Sequence, residues 1–151
     1  MINISDILSK CLASSGVCID SRKVTPNCFF VGIRTKKADG NSFAQEALDK
    51  GARFALVDNE DYCVNDQCIL VDDALKTLQS LATLHRNNLR QIPVIAIAGS
   101  NGKTTTKELI YSVLSKKYNA YRSHENFNNH IGVPISILEL TLDTEIAIIE
   151  M

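Results

Sequence analysis

An apolar run, Pro93-Val94-Ile95-Ala96-Ile97-Ala98, leads directly into Gly99-Ser100-Asn101-Gly102-Lys103-Thr104-Thr105-Thr106, and a helical pattern follows. A buried strand, a glycine turn and a helix in that order restrict this part of the chain to an α/β fold built on a parallel sheet. The same residues make a phosphate-binding loop. Glycines at 99 and 102 let the backbone turn tightly and bring its N–H groups up to phosphate oxygens. The start of the next helix adds unpaired donors and partial positive charge. Lys103 would reach the terminal phosphates, and the Thr104 hydroxyl would ligate magnesium. In the general pattern G-x-x-x-x-G-K-[ST] the first glycine falls at Ile97, so this is the shorter G-x-x-G-K-T-T form, found in a narrower group of ATP users.

The plain alternative is a strand–turn–helix corner whose glycines serve only the turn. Lysine followed by three threonines at a helix start is hard to explain by turn chemistry, and nucleotide binding is the expectation.

Composition narrows the class further. Of the 151 residues, 45% are hydrophobic and 22% charged, the balance of a chain that can bury a core. A net charge of −1 gives no electrostatic case for nucleic acid or an anionic membrane. No apolar run approaches the roughly 20 residues that span a bilayer, and the start, Met1-Ile2-Asn3-Ile4-Ser5-Asp6, lacks a basic-then-apolar leader. A cytoplasmic protein without membrane insertion is expected. Cys11, Cys18, Cys28, Cys63 and Cys68 are odd in number and form no C-x-x-C pair. They read as reduced core or surface thiols rather than a disulfide framework or a zinc site.

Periodicity gives the layout. A helix is expected over residues 4–12, with strands at 17–20 and 28–33 on either side of the Thr25-Pro26-Asn27 turn. A second helix follows, capped by Asn41 or Ser42 and ended by Gly51. Strands at 54–57 and 69–71 precede a longer helix from Asp72 or Asp73 to Asn88. The polar stretch 86–93, closing on Pro93, is the expected domain boundary. Residues 1–88 then form a small N-terminal α/β domain. Residues 89–151 begin a second domain: the loop strand, a helix at 105–117, a strand at 119–122, a helix at 131–140 and a strand at 145–150. Such alternation implies parallel strands with right-handed crossovers. About three strands do not cover both faces of a doubly wound sheet, so the natural chain is expected to continue past Met151.

The order of motifs resembles a family. The loop Gly99 to Glu108, then Asn126-Phe127-Asn128-Asn129-His130-Ile131-Gly132-Val133-Pro134, then Ile148-Ile149-Glu150-Met151, is similar to the Mur ligases of peptidoglycan synthesis. Asp20-Ser21-Arg22-Lys23-Val24, Phe29-Phe30-Val31-Gly32 and Asp39-Gly40-Asn41-Ser42-Phe43 resemble the family's nucleotide-sugar-binding domain. Within the family the chain looks most like the branch that joins D-alanyl-D-alanine to a UDP-N-acetylmuramoyl tripeptide.

The resemblance implies an ATP-dependent amide-forming ligase that works through an acyl phosphate, with ATP and Mg²⁺ as cofactors. Its partners would be the UDP-N-acetylmuramoyl tripeptide and D-alanyl-D-alanine, and it would act as a monomer. Gly99, Ser100, Asn101, Gly102, Lys103, Thr104 and Thr105 would hold the nucleotide, with Lys103 catalytic and Thr104 and Glu150 on the metal. Ser21, Lys36, Lys37, Asn126, Asn128 and Asn129 would meet the substrate. From the residues alone, Asp20-Ser21-Arg22 reads equally well as a satisfied turn. Asparagines at 128 and 129 suit a loop, where an amide donates and accepts at once. The chain departs from the family at Glu125, where glycine is usual, and at Asn27-Cys28, which replaces Gly-Asp. The alternatives are the ligase that adds the third peptide residue, the folyl-polyglutamate ligases, and a non-catalytic UDP-sugar-binding module. This stretch alone is expected to be inactive.

Overall fold

A computed structural model describes residues 3–36, 38–124 and 126–151. Contacts divide it into two compact units, residues 1–81 and 82–151.

The first unit is organised by short apolar strands that lie in one parallel sheet. β1 (Val17–Cys18), β2 (Phe29–Val31), β3 (Phe54–Val57) and β4 (Cys68–Leu70) stand in chain order. Helices cover such a sheet on both faces, which is why β2 carries no polar residue and all of it is buried. α1 (Ile4–Leu12) starts where the Asn3 side chain accepts from the Ser5 N–H at 3.1 Å, and it buries Ile7, Leu8 and Cys11. α2 (Ala44–Asp49) packs Ala44, Ala47 and Leu48 against Phe30, Ala55 and Val57. The expected strand at 17–20 stops at Cys18, because Asp20 turns its carboxylate to the Arg22 N–H and caps a 3₁₀ turn, Ser21–Lys23.

Asn41 does not cap α2, as the sequence suggests it should. It is fully buried in a preceding 3₁₀ turn, Gly40–Phe43, and its amide donates to Asp39 Oδ1 (2.7 Å) and Asp58 Oδ1 (2.8 Å). Its carbonyl accepts from the Asp58 N–H at 2.9 Å. Asp58 also receives Arg34 Nε at 2.9 Å and the Ala74 N–H at 3.0 Å. A fully satisfied buried amide of this kind specifies one arrangement of the chain around it.

α3 (Ala74–Asn88) begins at Asp73, whose side chain accepts from the Lys76 N–H at 2.8 Å. The division by contacts falls inside this helix, earlier than the polar stretch at 86–93. Its last turns belong to the second unit: His85 is buried with Nε2 2.8 Å from the Leu140 carbonyl, and Leu89 joins Ile92, Leu140, Ala147 and Ile149 in one core.

The second unit holds β5 (Val94–Ile97), α4 (Lys103–Leu114), β6 (Ala120–Arg122), α5 (Gly132–Leu138) and β7 (Ile146–Glu150). Its sheet is parallel in the order β5-β7-β6, so the last strand lies between the two earlier ones. Side chains alternate along β7. Ala147 and Ile149 enter the core with Val133 and Ile137 of α5, while Ile148 and Glu150 share the opposite face. Glu150 pairs in register with Ile97, the last residue of β5. The acidic strand end is thereby fixed beside the glycine loop.

Candidate functional site

The loop between β5 and α4 has the backbone that its glycines permit. Gly99 has φ 144° and Gly102 φ 76°, and nothing lies within 4 Å of where a Cβ on either would stand. Conformation, rather than crowding, requires glycine at both places. α4 begins at Lys103, two residues before the expected start, so Lys103 and Thr104 lie in its first turn. Gly102 provides no side-chain cap, which leaves the first N–H groups of α4 directed out of the helix end. Lys103 Nζ donates to the Gly99 carbonyl at 2.7 Å. An ammonium has three donors, and this bond uses one.

Glu150 is the centre of the arrangement. Its side chain is 3% exposed, and Thr104 Oγ1 donates to its Oε2 at 3.0 Å. Lys107 Nζ lies 3.4 Å from the same oxygen, and Asn128 Nδ2 donates to Oε1 at 3.0 Å. The Glu150 N–H donates to Ser123 Oγ, also at 3.0 Å. Burial pushes the Glu150 carboxyl up. Bonds from Asn128, Thr104 and Lys107, together with the Lys107 charge, outweigh burial and hold it below its ordinary value.

These groups suit the ligands the loop predicts. A helix start with uncapped N–H groups and an ammonium beside it fits phosphate. Magnesium takes oxygen ligands, usually one or two from protein with phosphates and water completing its shell, and the Thr104 hydroxyl and Glu150 carboxylate supply that number. Among the described residues there is no cluster of three or more His, Cys, Asp or Glu able to hold a metal without such help.

The asparagine run is split in its duties. Asn128 reaches Glu150, but Asn129 Oδ1 accepts the N–H groups of Ile131 (3.0 Å) and Gly132 (2.9 Å) and so steadies the start of α5. Asn126 is exposed with φ 66°, a left-handed conformation that asparagine tolerates. Gly132 is fixed by crowding, since a Cβ there would stand 2.4 Å from the Phe127 Cα. An open cavity of about 510 Å³ adjoins Thr104, lined also by Tyr111, Arg122, Ser123 and His124. Arg122 is held there by Glu108 at 3.0 Å and by the Tyr111 ring at 3.9 Å.

In the first unit, Ser21 is buried at 6% exposure and its carbonyl accepts from Lys50 Nζ at 3.0 Å. Lys50, and in smaller part the Ser21 hydroxyl, hold the Glu46 carboxyl low. Lys36 is exposed in a loop closed by the Arg34–Asp39 bridge. Lys37 and Glu125 lie outside the described residues. Burial pushes the thiols of Cys11 and Cys68 up to about 12, which suits inert side chains. No helix among the described residues is long and apolar enough to cross a membrane.

Sequence reasoning gave Lys107 and Ser123 no role. The signal for Lys107 was its helical spacing, three residues after Thr104 and four after Lys103, which puts all three on one face of α4. Ser123 carried no such signal, since only the pairing of β6 with β7 brings it to Glu150.

Residues 14–99 match the family described as Mur ligase family, catalytic domain, and residues 97–151 match the Mur ligase middle domain. The chain belongs to the Mur ligase family. Among its relatives, the UDP-N-acetylmuramoyl-tripeptide–D-alanyl-D-alanine ligase of Bacillus subtilis is 41% identical over 138 residues, covering 90% of this chain and 30% of that protein. The ligase of the same name from Escherichia coli is 34% identical, over 98% of this chain and 33% of that protein. The crystal structure of the MurF ligase from Thermotoga maritima in complex with ADP superposes with a TM-score of 0.76 at 34% identity, over 93% of this chain and 32% of that one. MurF from Acinetobacter baumannii gives 0.81 at 26% identity, over 97% of this chain and 34% of that one. The chain thus spans about a third of the length of the Mur ligases it matches.

Proposed function

We propose that the protein containing this chain is an ATP-dependent ligase that joins D-alanyl-D-alanine to a UDP-N-acetylmuramoyl tripeptide. The observation that carries the reading is the meeting of Thr104 with Glu150 at 3.0 Å at the mouth of the glycine loop. Support for the choice of substrates comes from relatives of that name at 34–41% identity. The nucleotide is supported by the ADP in the Thermotoga maritima enzyme's structure.

Residues 99–105 would cradle the ATP phosphates through backbone N–H groups, with Lys103 directed at the β- and γ-phosphates. Thr104 and Glu150 would hold magnesium, which when bound offsets charge on the γ-phosphoryl group. A carboxylate of the tripeptide would attack that group in line, breaking its bond to the β–γ bridging oxygen and releasing ADP with formation of an acyl phosphate. The amine of D-alanyl-D-alanine would then displace phosphate from the acyl carbon and lose a proton to give the amide. Chemistry of this kind needs positioning and electrostatic stabilisation more than a protein nucleophile, and the loop is built of donors and cations accordingly. Lys103 acts as the catalytic cation. Asn128, already tied to Glu150, would present its remaining amide groups to the substrate, with Asn126 and Asn129 beside it. Residues 1–88, with Ser21, Lys36 and Lys37, would bind the UDP end, and residues 89–151 would open the ATP-binding domain. Magnesium, a monomeric state and a cytoplasmic location belong to the same reading.

Phosphate release by the full-length protein tests it. Release is expected only when ATP, the UDP-tripeptide and D-alanyl-D-alanine are all present. Turnover with a free amino acid and the UDP-dipeptide instead would assign the protein to the ligases that add the third residue.

A further inference from the structure

Lys107 carries a charge that the proposed chemistry does not use. Its side chain is 1% exposed, and lysine is almost never buried this deeply without a counter-charge. Two carboxylates lie near. Glu108, at 4.0 Å, is half exposed and already bonded to Arg122, so the buried partner is Glu150 at 3.4 Å. The oxygen that Lys107 faces, Oε2, is also the one that accepts from Thr104.

Charge therefore decides what this pair can do for a divalent ion. A buried carboxylate beside a hydroxyl would attract a dication by itself. An ammonium one turn deeper on the same helix cancels that attraction and repels the ion directly. Phosphates at the loop would restore the missing negative charge. We propose that Lys107 is a built-in counter-cation to Glu150, so that the site accepts a divalent ion only together with a nucleotide's phosphates. This rests on the nucleotide-site reading above and adds to it a specificity-determining residue.

Titration of Mn²⁺ followed by electron paramagnetic resonance, with and without ADP, tests the inference in the full-length protein. The wild type should bind Mn²⁺ with ADP at least about tenfold more tightly than Mn²⁺ alone. Lys107→Met should raise the affinity for Mn²⁺ alone by about tenfold or more, as expected for removing a like charge from a poorly solvated site. Lys107→Gln, which keeps an N–H donor but no charge, should do the same, and Lys107→Arg should behave as the wild type. The gain should vanish in Lys107→Met/Glu150→Gln. Unchanged Mn²⁺ affinity in whichever neutral variant folds, or a gain that persists without Glu150, would overturn the inference. So would a wild type that binds Mn²⁺ equally well without ADP. Failure of the wild type to bind ADP in any form would instead strike the nucleotide-site reading.

Discussion

Thr104 and Glu150, 46 residues apart in sequence, are joined by a 3.0 Å hydrogen bond. Topology makes this possible. β7 returns between β5 and β6, and its register sets Glu150 against Ile97 just before the glycine loop. The backbone closes the arrangement as the Met151 N–H donates to the Ile97 carbonyl at 2.9 Å. Carboxyl ends of parallel strands are where open α/β sheets place ligands, and the loop, the hydroxyl and the carboxylate converge there.

Lys103→Ala in the full-length protein should lower turnover on the order of 10² to 10³ while leaving the melting temperature unchanged. Lys103 is half-buried, and its hydrogen bond to the Gly99 carbonyl lies at the surface. Removing it therefore takes little from packing. Phosphate-release assays and thermal melts of the two proteins check this, and a variant with most of its activity would remove Lys103 from the chemistry.

Two glycines should respond differently to alanine. At Gly132 the new Cβ would press on the Phe127 backbone at 2.4 Å, and displacement of the asparagine loop should cost about 1–3 kcal/mol. At Gly102 the space is open and only the left-handed φ of 76° is penalised, by about 1–2 kcal/mol. Urea midpoints should fall further for Gly132→Ala. ADP binding, followed by calorimetry, should suffer in Gly102→Ala, where the loop backbone itself is altered.

Much of this arrangement is legible in the sequence, because apolar runs bounded by turn residues mark the strands and the loop glycines mark the corner. The glycine loop and the parallel strands of the second domain follow from local pattern. For the first domain only its strands and helices do, and their parallel pairing is seen in the structure alone. What local pattern does not contain is pairing between distant segments. Asn41 looks like a helix cap until Asp58, 17 residues on, takes its amide into the core. Ser123 looks like an ordinary loop serine until β7 brings Glu150 beside it. Asn129 sits in a run with Asn128 and Asn126, yet only the start of α5 shows that its carbonyl is spent on backbone N–H groups. The apolar pattern at 17–20 overstates β1 for a similar reason, since the capping bond from the Arg22 N–H to Asp20 competes with the ladder.

Alkaline stability should depend on Tyr121. Its hydroxyl donates to Glu139 Oε2 at 2.5 Å, and burial, then the Glu139 bond and charge, push the phenol well above its ordinary value. An acid whose pKa is raised on folding lends stability that is complete below its unfolded pKa, about 10, and is lost as pH rises through the folded value. Above about pH 10 the unfolded chain releases this proton and the folded one keeps it. Stability should then fall by up to about 1.4 kcal/mol per pH unit more in the wild type than in Tyr121→Phe. Cys11, raised by burial, contributes equally to both proteins. Urea midpoints of the pair over about pH 9 to 11 give the comparison, and parallel slopes would show that Tyr121 does not ionise differently on folding.

Ser21 tests the division of labour between the two domains. Its turn does not depend on its hydroxyl, because Asp20 caps the 3₁₀ segment through the Arg22 N–H and Lys50 holds the Ser21 carbonyl at 3.0 Å. Ser21→Ala should therefore preserve the fold of the first unit, residues 1–81. If that hydroxyl meets the uridine end of the substrate, the variant loses one hydrogen bond worth about 0.5–1.5 kcal/mol. The Michaelis constant for the UDP-tripeptide should rise by roughly two- to thirteenfold, while that for ATP stays nearly constant. Equal weakening for both substrates would point to a disturbed Asp20-Ser21-Arg22 turn. No change for either would leave the Ser21 hydroxyl with Glu46 alone, as a part of the turn and not of the substrate site.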